Sequence, residues 1–439
     1  MAIVVFCDLD THRKMPILKG NCLIAQSGGP TAVINASAAG VVEEAKKHPA
    51  ITGIYAALNG IRGVLLEEIF DLGKEPKSNI AGLHRTPAAA LGSCRYKIKD
   101  LKTSRADYER ILEVFKAHNI RYFFYAGGND SMDTADKTAK LAADTGYELV
   151  AIGIPKTIDN DLAYTDHCPG YGSVAKYVAT VAMEAGRDTE ALYTSDTCTV
   201  LEVMGRNAGW IAAATGLASR CEEDAPHLIY LPEAVFSIEK FVADVKAVQV
   251  KLGRAFIVVG EGLKDKDGNY VTTQTGEFSK DSFGHVQLGG VAEMLKNVVE
   301  QQAGFKCRYI KLSTCQRNAM HFASATDASE AAMCGRAAVR AAMDGVAGKM
   351  ITLLRQKGSK GYKCTTGLAE LAEVANGEKK VPAEYINKDG NFITEAFRQY
   401  AGPLIRGQVK IEIADDGLPV YVRLEKHMLK KKTAAYKLK

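Results

Sequence analysis

Residues 120–144 read IRYFFYAGGNDSMDTADKTAKLAAD. An aromatic, apolar run ends in Gly127 and Gly128, small polar residues follow, and a helix-like segment continues to about Asp144. A strand that is apolar on both of its alternating faces has to be covered on both sides, as the strands of a parallel sheet are. The pattern recurs along the chain. NCLIAQ precedes SGGPTAV and a predicted helix from about Val33 to Lys47, LVAIGI precedes PKTIDNDL, and TCTVLEVMG precedes RNAGW and IAAATGLAS. HLIYLPE precedes a predicted helix around Glu239–Lys251, and RAFIVVGEG follows. Apolar strands alternating with helices predict an α/β fold with parallel sheets flanked by helices. Ligands in such folds bind at the carboxyl ends of the strands, where each polar motif of this chain falls. The segment around Gly127 and Gly128 also has the form of a phosphate cradle, except that a carboxylate, Asp130, stands where an anion would approach.

The chain has 439 residues, 47% hydrophobic and 24% charged, enough for two or three domains of an ordinary globular protein. A net charge of +5 with no dense basic stripe favours a small anionic substrate over nucleic acid. The basic tail LKKKTAAYKLK reads as a solvated terminus. Ten scattered cysteines form no CxxC pair, which argues against structural zinc and for a reducing, cytoplasmic compartment. The opening MAIVVFCDLD is too short to span a bilayer and lacks the basic flank of a signal peptide, and no membrane association is expected. In the last hundred residues, NKDGNF, ADDG and GQVKIEI suggest turns and a few strands. No linker rich in Pro, Gly or Ser marks a boundary, so crossovers between the domains are expected.

Several motifs carry candidate chemistry. Gly28 and Gly29 in QSGGPTAVINAS lie between strand and helix, where backbone N–H groups can hold phosphate oxygens; a tight turn alone explains them equally well. LGSCRYKIKD offers Arg95 and Lys97, either phosphate ligands or surface cations. PKTIDNDL is the most telling. Lys156, Thr157, Asp159 and Asp161 directly after a buried strand form a candidate general base with positioning groups, more than a turn needs. EVMGRNAGW brings Gly205 and Arg206 to a strand end, with Met204 by default a core residue. Glu261 in VVGEGL suits sugar hydroxyls or a helix cap. Arg308 and Arg317 suit a phosphomonoester or ion pairs, and His321 reads as structural. No GxSxG, HExxH or HRD pattern occurs, which removes support for acyl transfer, zinc hydrolysis and protein-kinase chemistry.

Taken in order, SGGPTAVINA, LGSCR, GGNDS, PKTIDND, MGR and GEG, with Arg308 nine residues ahead of Arg317, resemble the phosphofructokinase family over roughly residues 21–344. The resemblance implies two Rossmann-like domains with the active site in the cleft between them. It places a phosphoryl-donor domain at 1–171 plus about 316–375, and a sugar-phosphate domain at 172–315 plus about 376–439. Asp159 then resembles the base that takes the proton from the 1-hydroxyl of fructose 6-phosphate, and Arg95 the transition-state arginine. Gly28 resembles a donor contact. Thr157, Ile158, Asp161, Met204, Gly205, Arg206, Glu261, Arg308, Thr314 and Arg317 fall at acceptor-binding positions. Arg308's counterpart in the family acts from a neighbouring subunit, so a homo-oligomer is implied.

Two positions discriminate the donor. ATP-dependent members carry glycine where this chain has Asp130 and Lys156, which leaves room for a nucleotide. The pair seen here resembles the pyrophosphate-dependent branch. Asp130 would repel an α-phosphate, Lys156 would add positive charge for pyrophosphate, and a mutual ion pair between the two is expected. Reversible, magnesium-dependent transfer between pyrophosphate and fructose 6-phosphate, in glycolysis or gluconeogenesis, is the function so implied. Asn129 and Asp130 are the candidate metal ligands, Asn129 standing where the family usually has aspartate. Thr197 replaces a second subunit-crossing arginine, and Thr314 replaces the usual aromatic or histidine. The rival readings are an ATP-dependent kinase of this or a related sugar phosphate, such as sedoheptulose 7-phosphate, and a non-catalytic sugar-phosphate sensor, against which the intact TIDND stands.

Overall fold

The computed structural model describes residues 15–192, 194–272, 290–356, 358 and 361–438. The opening MAIVVFCDLD, with its expected lack of a membrane or targeting role, lies outside them. Among the described residues, eleven strands form two sheets: β1 (Gly20–Gln26), β2 (Ile51–Ala57), β3 (Ile69–Asp71), β4 (Ile120–Gly127), β5 (Val150–Pro155), β6 (Cys198–Val203), β7 (Leu228–Tyr230), β8 (Ala255–Gly260), β9 (Cys307–Lys311), β10 (Lys349–Arg355) and β11 (Cys364–Glu370). The first sheet has the order β11-β10-β5-β4-β1-β2-β3, with parallel pairing from β10 to β2 and antiparallel pairing at both edges. The second has the order β7-β8-β6-β9 and is parallel throughout.

The double-sided apolar reading of these strands holds. In β4, Tyr122 and Phe124 enter one core layer, while Phe123 and Tyr125 enter the layer on the opposite face. In β6, Leu201 and Val203 face one layer and Val200 the other. The helices Ile34–Ala45 and Ala325–Met343 cover the first face of sheet one. They approach so closely that a Cβ on Gly40 would strike the backbone of Ala332, and one on Gly335 that of Ser37. Burial of such layers is the main stabilising term, roughly 25 cal/mol per Å² of apolar surface.

In sheet one, β2 lies on one side of β1 and β4 on the other, so the connections change direction there. A crevice opens at that switch point, outside the carboxyl ends of β1 and β4. The glycine loops after both strands and the PKTIDNDL loop after β5 all emerge on this rim. In sheet two, the carboxyl ends of β6, β8 and β9 carry Met204, Glu261 and the 312–317 segment.

The end of the chain departs from the sequence reading. Residues around 379–404 do pack on the second sheet: Tyr385, Phe397 and Tyr400 surround Trp210, and Ile229 N–H donates to Asn391 O at 2.8 Å. Residues 420–438, placed by the sequence with the sugar-phosphate domain, instead return to the first sheet. Asp71 N–H donates to His427 O and Leu429 N–H to Ile69 O, so the tail covers the outer edge of β3. Glu67, buried, accepts from Thr433 N–H at 3.1 Å and contacts His118 at 2.7 Å. Tyr436 donates to Asp107 at 2.6 Å. The tail reads as a solvated terminus because its lysines are exposed; its few anchoring residues satisfy an open strand edge, a demand no local pattern shows. GQVKIEI forms no strand beyond a single bridge, Ile413 to Pro419. The nine described cysteines are free thiols, and no described helix is long and apolar enough to cross a membrane.

Candidate active site

The first glycine loop leaves β1 at Ser27. Gly28 adopts φ +76°, a left-handed conformation that glycine takes without strain. Its N–H donates to Cys94 O at 3.2 Å, and Ser93 Oγ donates to its carbonyl at 2.6 Å. The loop is therefore stapled to the segment that carries Arg95. Two fully buried residues the sequence reading passed over, Gln26 and Asn35, reinforce this staple. Gln26 Nε2 donates to Asn35 Oδ1 at 3.0 Å, Leu91 N–H donates to Gln26 Oε1, and Ala90 N–H to Asn35 Oδ1. Both stand in apolar surroundings at a strand end and a helix start, and that contrast was the available signal.

The second glycine loop ends β4, and the helix Asn129–Asp144 begins immediately after it. Asn129 Nδ2 donates to Gly377 O at 3.0 Å, which leaves Asn129 Oδ1 buried without a hydrogen-bond partner among the described residues. Asp130 does not meet Lys156. Its carboxylate pairs with Lys97 at 2.8 Å, both groups about half exposed. Lys156 is buried, and its Nζ instead donates to Gly29 O at 2.9 Å. The expected ion pair fails because Lys156 points from the rim of β5 inward to the β1 loop, whereas Asp130, in the first turn of its helix, faces the solvent side and the 91–100 loop. An exposed pair such as Lys97–Asp130 contributes at most about 1 kcal/mol and is readily exchanged for other partners.

Around Lys156 the site gathers opposing charges. Burial pushes its ammonium down to about 8, against the pull of Asp159 and Asp161, with Arg317 and Arg95 adding to the depression. Burial, then the charges of Asp161 and Glu261, raise the Asp159 carboxyl to about 7, although Lys156 and Arg317 oppose the rise. Asp161 is raised as well, mainly by burial, against its hydrogen bond with Thr157. Thr157 Oγ1 also accepts from Asp159 N–H at 3.0 Å, so one hydroxyl fixes the Asp161 carboxylate and the backbone of Asp159. A carboxyl near neutrality is tuned for proton transfer at physiological pH. Ile158, between Thr157 and Asp159, is buried in the core under the second sheet.

On the rim of the second sheet, Glu261 is the point of convergence. Gly205, at φ +126°, donates its N–H to Glu261 Oε1 at 3.3 Å, and Glu261 N–H donates to Val203 O. Burial raises the Glu261 carboxyl; the Gly205 hydrogen bond and Arg206 and Lys311 oppose this. Met204 N–H donates to Gln316 Oε1 at 3.2 Å, so its backbone, not its thioether, is fixed by the short helix Cys315–Asn318. Thr314, exposed, precedes that helix. Arg317 projects from it across the cleft: a Cβ on Gly29 would lie 3.1 Å from its Nη1, and burial, then Arg95, depress its guanidinium. It thus stands by the β1 glycine loop as well as beside the loop that begins at Met204. Arg308 is not with the others. It lies three residues before the end of β9, paired with Asp188 at 2.8 Å, with Asp196 at 3.8 Å from its Nε. Thr197 likewise stands at the amino end of β6, accepting from Ala255 N–H through its carbonyl.

Together the rims bring Arg95, Lys156 and Arg317 to the neighbourhood of Asp159, whose carboxyl also feels Glu261 from the second sheet. Comparison with known proteins agrees with this geometry. The family model for phosphofructokinase matches residues 21–342. A protein of Xanthomonas campestris named pyrophosphate–fructose 6-phosphate 1-phosphotransferase is 47% identical over 95% of this chain and 99% of its own. One of that name from Methylococcus capsulatus is 48% identical over 94% and 98%. The crystal structure of a pyrophosphate-dependent phosphofructokinase from Nitrosospira multiformis superposes with a TM-score of 0.87 at 45% identity, covering 95% of this chain and all of that one. The chain belongs to the phosphofructokinase family.

Proposed function

We propose that this enzyme transfers a phosphoryl group from pyrophosphate to the 1-hydroxyl of fructose 6-phosphate, giving fructose 1,6-bisphosphate and phosphate, reversibly. The observation that carries the reading is the position of Lys156, a buried ammonium held between the β1 glycine loop and the Asp159–Asp161 pair. A nucleotide brings its own binding handle, whereas pyrophosphate has only charge to hold, and a desolvated cation supplies it. Relatives of the name pyrophosphate–fructose 6-phosphate 1-phosphotransferase, nearly half identical over almost the full length, support the same donor.

In the forward direction Asp159 accepts the proton of the 1-hydroxyl as that oxygen attacks, and in reverse it returns the proton. Arg95, Lys156 and Arg317 neutralise charge on the donor, and Glu261 with the Gly205–Arg206 turn orients the sugar. Positioning and charge are most of what phosphoryl transfer requires. Magnesium fits the donor loop: Asn129 Oδ1 is a buried oxygen without a partner among the described residues, and the half-exposed Asp130 carboxylate, held by the exchangeable Lys97 pair, is adjacent in the chain. Two such oxygens suit a hard cation that completes its shell with water and phosphate oxygens. Bound there, it would neutralise developing charge on the transferred group. The location of Arg308, away from its own chain's Asp159, supports a homo-oligomer in which it serves a neighbouring site. The nine free thiols among the described residues support a cytoplasmic location.

The test is an assay of purified protein with fructose 6-phosphate, Mg²⁺ and either pyrophosphate or ATP. Turnover with pyrophosphate is expected; strong ATP use without pyrophosphate turnover would overturn the donor assignment.

A further inference from the structure

Beyond the segment matched by the family model, residues 377–381 cross the rim of the active site and touch three of its loops. Gly377 O accepts from Asn129 Nδ2 at 3.0 Å, at the start of the helix after the second glycine loop. Lys379 N–H donates to Asp161 O at 2.7 Å, in the loop of the base. Trp210 Nε1 donates to Lys379 O at 3.0 Å, and Val381 N–H donates at 2.9 Å to Glu233, the same carboxylate that receives Gly209 N–H. Gly209 and Trp210 follow the acceptor turn at Gly205–Arg206.

Lys379 is the centre of this strap. Its ammonium has three N–H donors, and three acceptors take them: Asp166 O at 2.8 Å, Thr165 O at 3.1 Å and Asn160 Oδ1 at 3.3 Å. The Trp210 ring lies 5.3 Å from it. Asn160 is fully buried in the left-handed conformation, φ +55°, directly between Asp159 and Asp161. It also binds Tyr400 Oη at 2.8 Å and Cys168 N–H at 3.0 Å. The ammonium thus joins the outgoing arm of the base loop to its returning arm. All three hydrogen-bond acceptors are uncharged, and burial depresses the ammonium although the Asp166 and Asp161 carboxylates favour it, a costly setting in which a neutral side chain would fill the space more cheaply.

We infer that Lys379 is a positioning residue for the phosphoryl transfer, which through Asn160 and the 165–166 backbone holds Asp159 in register with the donor and acceptor loops. The inference rests on the reaction proposed above. The test compares the full-length wild type with Lys379→Met and Lys379→Arg, by steady-state kinetics with pyrophosphate and fructose 6-phosphate and by hydrogen exchange of residues 157–168 without substrate. For Lys379→Met, kcat is expected to fall on the order of a hundred-fold, as loss of register by about 1 Å does. KM for both substrates is expected to stay within about three-fold of wild type, since no substrate contact is removed. Exchange in the 157–168 segment should quicken, and arginine should recover part of kcat. A wild-type kcat in Lys379→Met, or a loss confined to KM, overturns the inference. Should that variant fail to fold, Gly377→Ala replaces it: the new Cβ would meet Ala163 Cβ at 2.6 Å and lift the strap from the base loop. About ten-fold lower kcat is then expected, and an unchanged value overturns the inference. If the wild type itself does not use pyrophosphate, the proposed function fails, and exchange still decides about Lys379: protection equal to wild type in Lys379→Met, or in Gly377→Ala where methionine does not fold, refutes it.

Discussion

Replacing Lys156 with methionine is expected to change the shape of the pH–rate profile as well as its height. In the free wild-type enzyme the base needs its carboxylate form, available above about 7, and the donor site needs the Lys156 ammonium, present below about 8. kcat/KM should therefore rise toward 7, fall above 8 and have a narrow optimum between them. At pH 6 a base titrating at about 7 is roughly one-tenth ionised, so about ten-fold is lost on that limb. Methionine removes the group responsible for the alkaline limb. It also removes a cation that favours the Asp159 carboxylate, so the proton is held more tightly and the acid limb moves upward. A neighbouring opposite charge at this range shifts a carboxyl by about one unit, about 1.4 kcal/mol of differential interaction. At pH 6 the variant should thus retain roughly one-hundredth of its own plateau, against one-tenth for wild type. The assay is kcat/KM for fructose 6-phosphate with pyrophosphate held well below its KM, so that the free enzyme titrates, at constant Mg²⁺ from pH 5.5 to 9.5, for both proteins side by side. Ionisations of the substrates are common to both and cancel in the comparison. If the two profiles superpose after scaling, with the alkaline limb intact in the variant, Lys156 and Asp159 are not the titrating groups and the charge argument for the site is wrong.

Asp159→Asn should lower kcat by on the order of a hundred- to ten-thousand-fold with little change in KM for the sugar phosphate. Because the folded state raises this carboxyl, ionisation costs stability as pH climbs from the unfolded value through about 7; the variant should therefore be more stable than wild type at pH 8, by roughly 4 kcal/mol, and indistinguishable below about pH 4 in denaturant titrations. The double change Asp130→Gly with Lys156→Gly should raise the ATP-to-pyrophosphate ratio of kcat/KM, and an unaltered ratio would show that these positions do not gate the donor. Asn160→Ala forfeits the Tyr400, Cys168 and Lys379 contacts and leaves alanine at φ +55°, so a loss of on the order of 3 kcal/mol is expected in urea unfolding; a loss below 1 kcal/mol would contradict the role given to this side chain.

The sequence by itself determined the α/β architecture and the placing of the polar motifs at the carboxyl ends of the strands. Tyr122 to Tyr125 are apolar at every position, which only a strand buried on both faces tolerates, and the glycines, lysine and aspartates after such strands mark the carboxyl rim. Strand period and turn chemistry are local, so they are written in adjacent residues. Which side chains meet across the rim is not local, and the tertiary structure decided it. Lys156 reaches Gly29 and Asp130 reaches Lys97, although charge alone suggested that the two would pair with each other. Arg317 spans to the donor loop, while Arg308, on the strand that leads to it, faces away. Residues 420–438 close the edge of β3, and Lys379, which carries no motif, ends among three carbonyl oxygens that belong to the base loop. Each of these pairings joins residues that the order of strands in the two sheets brings together. That order follows from how apolar layers are covered and how crossovers pack, and no periodicity within a single segment encodes it.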